Sequence, residues 1–242
     1  MPINLGGNEI NSFGTKLLND TGIITSGLTY YWDAGIVSSY PGSGTTWTDL
    51  TTNGRNITLN NGPTYSSAQG GGIVFDGAND YGSYSTISFG NGNVAWTTIG
   101  WIKTTTAADG LGAGSFMSNA SGGPVYAAMC INTGKISYWS YAGSLGGWYR
   151  RQGTVTVNDG AWHMLTWANT TSYTMNMYVD GNLDVAGVDS LSGNNNPMDW
   201  MGASWAAYSS MTIGSAFVYL GTLLTAAQIR QIYNATRTRF GV

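Results

Sequence analysis

Apolar and polar residues alternate along most of this chain in short runs, each ended by a cluster of Gly, Asn, Asp, Ser or Thr. A period of two marks extended backbone, and Gly and Asn accept the positive φ that tight turns need. Residues 73–84 show this most plainly. Ile73 and Phe75 alternate with Val74, Asp76-Gly77 supplies a turn, and Tyr81 and Tyr84 open a second run, so a hairpin is predicted. Residues 28–33 read as the first strand, 45–50 follow a Pro-Gly-Ser-Gly turn, and Asn53-Gly54 breaks the chain before Ile57 and Leu59. In residues 94–103, Ala95, Ile99 and Trp101 share one face, with Trp96, Thr98 and Ile102 on the other. Bulk on both faces belongs to a strand buried between layers. Further strands are predicted over 115–118, 125–131, 135–141, 148–157, 161–167, 174–179, 183–188 and 211–220, with tight turns at 132–135 and 180–182.

The period changes once, near the end. Thr225 and Gln228 are spaced as a capping box, Leu224 and Ile229 as a hydrophobic staple. Ile229, Ile232, Tyr233 and Thr236 then recur at helical spacing and Gly241 follows, which predicts one C-terminal helix with Arg230, Arg237 and Arg239 facing solvent or a partner subunit. Residues 1–25 show no clean period, only scattered apolar points such as Ile3, Leu5, Ile10 and Phe13. They read as an N-terminal arm, either loosely attached or ordered on docking to another subunit. Residues 26–242 form the domain proper.

Composition narrows the class. At 242 residues the chain suits one large β domain, and 42% apolar residues supply a core. Charged residues make up only 9%, far below the usual quarter, so the surface is neutral and hydrogen-bonding. A net charge of −3 leaves no basic footprint for nucleic acid. No run reaches the roughly 18 apolar residues of a membrane span, and the first ten residues lack the basic and apolar regions of a secretory leader. Cys130 is the single cysteine and sits in an apolar run, where a buried inert thiol is expected.

Several motifs in order carry a resemblance: Tyr30-Tyr-Trp-Asp-Ala-Gly35, residues 39–50, Asn60-Asn-Gly-Pro-Thr-Tyr65 and Phe75-Asp-Gly-Ala-Asn-Asp-Tyr81. Downstream come Asp159-Gly-Ala-Trp-His-Met-Leu165, Met177-Tyr-Val-Asp-Gly181 and residues 223–233. Together, over residues 28–242, they resemble the laminin-G-like domains of the concanavalin A-like lectin/glucanase superfamily, above all those of bacteriophage structural proteins. The resemblance implies an all-β, two-sheet antiparallel jelly-roll sandwich with a short C-terminal helix. It also implies a place in a phage virion, as a capsid decoration, neck or tail fibre component. The arm would then meet other virion proteins, and a symmetric homo-oligomer is expected on general grounds.

The superfamily includes glycosidases, which need two placed carboxyl groups. Here the single Glu is Glu9, in the arm, and the Asp residues mostly sit beside Gly or Asn in turns. No strand presents two carboxylates on one face, so no enzymatic activity is expected. His163 is the only histidine and lies in an aromatic-His-apolar strand without a Ser or Cys motif nearby, which favours a structural role. One His and one Cys exclude a closed zinc site of the usual kind. The resemblance implies calcium as the one metal to consider, with Asp33, Asp49, Asp76 and Asp80 as nominees.

Ten Trp and fifteen Tyr exceed what a sandwich core needs. Trp139, Tyr141, Trp148, Tyr149, Arg150, Trp200, Trp205 and Tyr208 fall in Gly/Ser-rich stretches and are the candidate glycan contacts. Aromatic faces cover the apolar faces of sugars while amides read hydroxyls. The alternative use of the same side chains is core or interface. The expectation is a non-enzymatic virion protein displaying a lectin-like sandwich that binds host or environmental glycans. The alternative is a free or cell-associated carbohydrate-binding module, and a third reading is a degenerate hydrolase.

Overall fold

The computed structural model describes residues 22–90, 93–107, 109–110, 114–120, 126–142, 147–189 and 197–242, with backbone alone for Ala142, Trp148, Tyr149 and Asp189. The strands, in chain order, begin with β1 (Leu28–Asp33), β2 (Thr46–Trp47), β3 (Ile57–Asn60), β4 (Thr64–Ser66), β5 (Gly72–Asp76) and β6 (Tyr81–Ser88). Then come β7 (Trp96–Lys103), β8 (Ser115–Ser118), β9 (Ala127–Asn132), β10 (Lys135–Ala142), β11 (Gly147–Thr156) and β12 (Trp162–Asn169). The last are β13 (Thr174–Val179), β14 (Asn182–Asp189), β15 (Pro197–Met201), β16 (Ala203–Ser204), β17 (Ala207–Tyr208) and β18 (Ser210–Leu220), followed by helix α1 (Ala226–Phe240).

Two eight-stranded antiparallel sheets result. The back sheet runs β14-β13-β12-β7-β18-β5-β4, and β1 also pairs with β18. The long β18 makes this possible: residues 210–213 pair with β5 and residues 215–219 with β1, while the other edge pairs with β7. The front sheet runs β11-β10-β9-β8-β15-β6-β3-β2. This is the two-sheet antiparallel sandwich with a C-terminal helix that the sequence predicts. The predicted turns at 132–135 and 180–182 hold as well. Thr133-Gly134 and Asp180-Gly181 all have positive φ, as two-residue hairpin turns of the primed type require.

The space between the sheets is filled by Trp32, Trp47, Trp96, Trp167, Phe75, Phe116 and a set of methionines. Met suits such irregular gaps because its unbranched chain bends to fit. Phe116 of the front sheet stacks on Trp167 of the back sheet at 5.7 Å, over the bare backbone of Gly100. A Cβ on Gly100 would stand 2.7 Å from the Phe116 ring, so only glycine permits this approach.

The back sheet is buried on its other face too. Ile99, Trp101, Trp162, Met164, Phe217 and Tyr219 form a second core with Ile229, Ile232 and Phe240 of α1. The alternation over 94–103 therefore has both destinations filled: Trp96 and Ile102 face the front sheet, Ile99 and Trp101 the helix. Trp101 is the docking point, stacked on Phe240 at 4.3 Å and Tyr233 at 5.8 Å, with its indole N–H donating to Thr236 Oγ1 at 2.9 Å. The capping box is present at Thr225 and Gln228, and Gly241 ends the helix with φ 78°.

Four expectations change. The hairpin predicted over residues 73–84 does not form: β5 pairs with β4 and β18 in the back sheet and β6 with β3 and β15 in the front sheet, so the turn at 76–80 carries the chain from one sheet to the other. Of residues 45–50 only β2 is extended, and β4, β15, β16 and β17 have no counterpart in the predicted strands. Residues 22–25, counted with the arm, join the back face: Ile23 is buried in the helix-side core, and the Ile24 carbonyl accepts from the Tyr219 hydroxyl at 2.7 Å. The rest of the arm lies outside the described residues. Arg239, expected to face solvent or a partner subunit with Arg230 and Arg237, turns inward instead.

Arg239 Nη1 donates to Asp33 Oδ2 at 2.6 Å, and the side chains are 22% and 2% exposed. The Tyr31 hydroxyl donates to the same oxygen at 2.7 Å, and the Gly35 N–H donates to Asp33 Oδ1. This joint ties the last turn of α1 to the end of β1. Asp33→Asn is expected to cost about 3 kcal/mol in urea unfolding, because it strands a buried cation. Asp33→Asn combined with Arg239→Met is expected to cost less than the single change. A double variant less stable than Asp33→Asn alone would show that packing, not charge compensation, holds the joint.

Candidate functional site

Six of the tryptophans are core: Trp32, Trp47, Trp96, Trp101, Trp162 and Trp167 are all buried. The remaining four, Trp139, Trp148, Trp200 and Trp205, are those nominated for glycan contact. Strand register explains where they go. Across the front sheet, Arg150 of β11 pairs with Trp139 of β10, which pairs with Ala128 of β9. Ala128 pairs with Ser118 of β8, Ser118 with Trp200 of β15, and Trp200 with Ser83 of β6. Ser83 continues to Thr58 of β3 and Thr46 of β2. One transverse row thus crosses the whole sheet.

The chain neighbours of the row, among them Tyr138, Met129, Met117, Met201, Tyr84, Leu59 and Trp47, belong to the inter-sheet core. Alternation then turns the row outward, away from the back sheet. Its chemistry is aromatic and hydroxylic, with a single charge. Trp139 and Trp200 are partly exposed, and Ser83, Thr58 and Thr46 supply hydroxyls.

At one end the Arg150 guanidinium lies 5.6 Å from the Trp139 ring centroid. Its Nη1 donates to Asp109 Oδ1 at 3.2 Å and to the Asn132 side-chain oxygen. The Asp109–Arg150 pair is well exposed and contributes little to stability. It does fix the cation beside the indole. Tyr141 is partly exposed on the same strand as Trp139.

Toward the other end the Tyr81 ring sits 4.6 Å from Trp200 and 6.3 Å from Tyr208. Between the two ends rises the hairpin β16–β17. It is rooted on the row, since the Ser118 hydroxyl donates to the Ala203 carbonyl at 2.6 Å. Trp205 stands at its tip, 44% exposed, with its ring edge-on to Tyr126 at 6.5 Å. Tyr126 leads into β9 and is buried, with Ser115 and Ser204 beside its hydroxyl, and burial holds that phenol neutral. Ala128 and Ser118 are covered by this arrangement, so the accessible surface is the aromatic rim and the hairpin tip.

The structure thus brings Trp139, Tyr141, Arg150, Trp200, Trp205 and Tyr208 to one sheet face. Trp148 shares the register of Tyr141 on that sheet, and Tyr149 that of Ser140. The side chains of Trp148 and Tyr149 lie outside the described residues. Tyr81, Asp109 and Asn132 were not among the sequence-predicted contacts. Tyr81 could have been found by period two, since it stands one pleat away from Gly82 and Tyr84, which face inward.

The four calcium nominees are engaged separately within the fold. Asp33 is ion-paired with Arg239. Asp49 accepts from the backbone N–H groups of Tyr31, Thr51 and Arg55, which organises the turn after β2. Asp76 caps the N–H groups of Ala78 and Asn79, and Asp80 accepts from Asp76 N. Burial raises the pKa of Asp80. Among the described residues no three carboxylate, imidazole or thiol groups converge as a metal site would require.

Cys130 is fully buried, and desolvation pushes its thiol far above the usual range. His163 is held from both sides, with Nδ1 2.8 Å from Asp180 Oδ2 and Nε2 3.2 Å from Asp159 Oδ1.

No family model matches the chain, and no curated protein matches its sequence. Solved structures do match in fold. Domain 4 of AbnA, a GH43 extracellular arabinanase from Geobacillus stearothermophilus solved with arabinotriose, aligns at 18% identity and TM-score 0.63, over 86% of this chain and 98% of that domain. Trypanosoma rangeli sialidase in complex with sialic acid aligns at 14% identity and TM-score 0.61, over 90% of this chain. The receptor binding domain of botulinum neurotoxin C/D mosaic serotype aligns at 10% identity and TM-score 0.65, over 87% of this chain. The chain spans about a third of the sialidase and half of the toxin domain. Its fold is therefore a two-sheet β-sandwich, and identities this low carry the fold alone.

The His163 clamp makes stability depend on pH. Burial lowers the His163 pKa, but hydrogen bonds and charge from Asp180, then Asp159, outweigh it, and the net shift is upward from 6.5. Stabilisation from this group is complete below about pH 6.5 and fades as pH rises through the raised value. Asp159 is lowered, chiefly by the Ala161 N–H and then by His163, so its contribution is lost only as pH falls below the ordinary carboxylate range. Denaturant unfolding of the wild type and His163→Gln should therefore differ more at about pH 5.5 than at about pH 8.5. An equal difference at both would refute the clamp.

Proposed function

We propose that this protein is a non-enzymatic, lectin-like binding domain displayed on a bacteriophage particle, and that the outer face of its front sheet is where it meets a glycan. One observation carries the binding reading. Among the described side chains, the aromatics left over from both cores, Tyr173 excepted, gather on a single sheet face around one register row, with hydroxyls and one fixed cation between and beside them. Rings of this kind cover apolar sugar faces, and the hydroxyls and the Asn132 and Arg150 groups suit the polar edges. The arabinanase domain and the sialidase, whose structures hold arabinotriose and sialic acid, show that sandwiches of this shape occur in carbohydrate-handling proteins.

The non-enzymatic part rests on the carboxylates. Those described mostly accept backbone N–H groups, as Asp49, Asp76, Asp180 and Asp184 do, or are ion-paired like Asp33. The one glutamate is Glu9. The virion part rests on the resemblance of residues 28–242 to laminin-G-like domains of phage structural proteins. Docking through the N-terminal arm and assembly as a homo-oligomer belong to the same proposal.

A glycan array probed with the full chain is expected to show retention on at least one carbohydrate. Trp139→Ala and Trp200→Ala should lose it, with thermal stability little changed, because both side chains stand outside the cores. Mass spectrometry of purified phage particles should find the chain at structural stoichiometry. Retention unaffected by either substitution would remove the front face from the proposal, and absence from particles would remove the virion.

A further inference from the structure

The spacing and charge of the front face narrow the ligand that the proposed glycan reading allows, and the inference here rests on that reading. Trp139 and Trp200 lie in one row three strand intervals apart, from β10 across β9 and β8 to β15. At about 4.8 Å per interval their backbones are about 14 Å apart. One sugar ring covers one aromatic face, so a single residue cannot engage both platforms. Trp205, exposed at the hairpin tip, offers a third aromatic surface between them. Aromatics spaced along a line, with the hairpin between them, suit a chain that passes over the face and continues beyond it.

Charge points the same way. The row contains one ionisable side chain, Arg150, and its Nη1 is already bonded to Asp109 and Asn132. The other row members are Trp, Ala, Ser and Thr. A carboxylated or sulfated sugar would find no uncommitted cation along the row, whereas a neutral one leaves the Arg150–Asp109 pair intact. We infer that the front face binds an internal, extended segment of a neutral polysaccharide, with Trp139 with Arg150 and Trp200 with Tyr81 and Tyr208 engaging different residues of the same chain.

Isothermal titration of the full chain tests this. The probes are neutral arabino-, xylo-, gluco- and galacto-oligosaccharides from monomer upward, their polymers, and sialyllactose and polygalacturonate as acidic counterparts. Affinity should rise with chain length by about tenfold or more and then level. Trp139→Ala and Trp200→Ala should each weaken polymer binding by about tenfold, the scale of losing one aromatic anchor. The gain from lengthening the oligosaccharide should shrink in both variants, and circular dichroism should show both folded. A monosaccharide bound as tightly as its polymer, or an acidic probe preferred over every neutral one, overturns the inference while leaving glycan binding in place. No binding to any probe overturns both this inference and the glycan reading beneath it.

Discussion

The constraint on which the rest depends is that the back sheet is buried on both faces. Its inner side packs on the front sheet and its outer side on α1 and residues 23–24, so β7, β12 and β18 have almost no polar outlet. Trp101 takes both stacking and hydrogen bonding to the helix, and the Asp33–Arg239 pair closes the same face at the end of β1. The outer face of the front sheet, by contrast, carries the partly exposed Tyr81, Trp139 and Trp200 and the exposed Trp205 and Tyr208.

The front sheet accommodates them because register is a discrete quantity. A slip of one residue at any of its strand pairs would send Trp139 or Trp200 into the core and a methionine into water. The inner side resists that slip, with Met117, Met129 and Met201 packed beside Phe116 and Tyr138. The core therefore aligns the face that it does not touch. At the lateral edge, Asp184 of β14 accepts from the N–H groups of Thr154 and Val155 in β11, joining the two sheets where each would otherwise present unpaired backbone.

Much of this was legible in the chain. Period two located the long strands, Asn132–Lys135 and Asp180–Asn182 announced their turns, and the Thr225–Gln228 box located the helix, because each is a local matter of backbone chemistry. The short strands β15 to β17 were not legible. Runs of two to five residues hold too few alternations to show a period: β15 is a strand because β6 and β8 offer partners, and β16 and β17 because they pair with each other. Arg239 was misjudged because its counter-ion is 206 residues away, and a charge on a helix ordinarily faces water. The aromatic surplus was visible in composition, and it singled out Trp139, Trp200 and Trp205. That they share a face with Tyr81 is a product of pairing across non-adjacent strands, which no sequence window contains. Of the calcium nominees, Asp49, Asp76 and Asp80 accept backbone N–H groups in turns and Asp33 holds Arg239, because a carboxylate that suits a cation suits these donors equally well.

The positions of Gly22 and α1 carry a consequence for how the domain can be displayed. Gly22 accepts from Gln231 of the helix through its carbonyl, and Gly241 caps the same helix, so both ends of the described body lie on the back. The aromatic face looks the opposite way. A short, stiff tether fixed at either point would hold the domain like a plate gripped from behind, with the aromatic face turned away from the attachment, whereas a long flexible one would leave it free to turn.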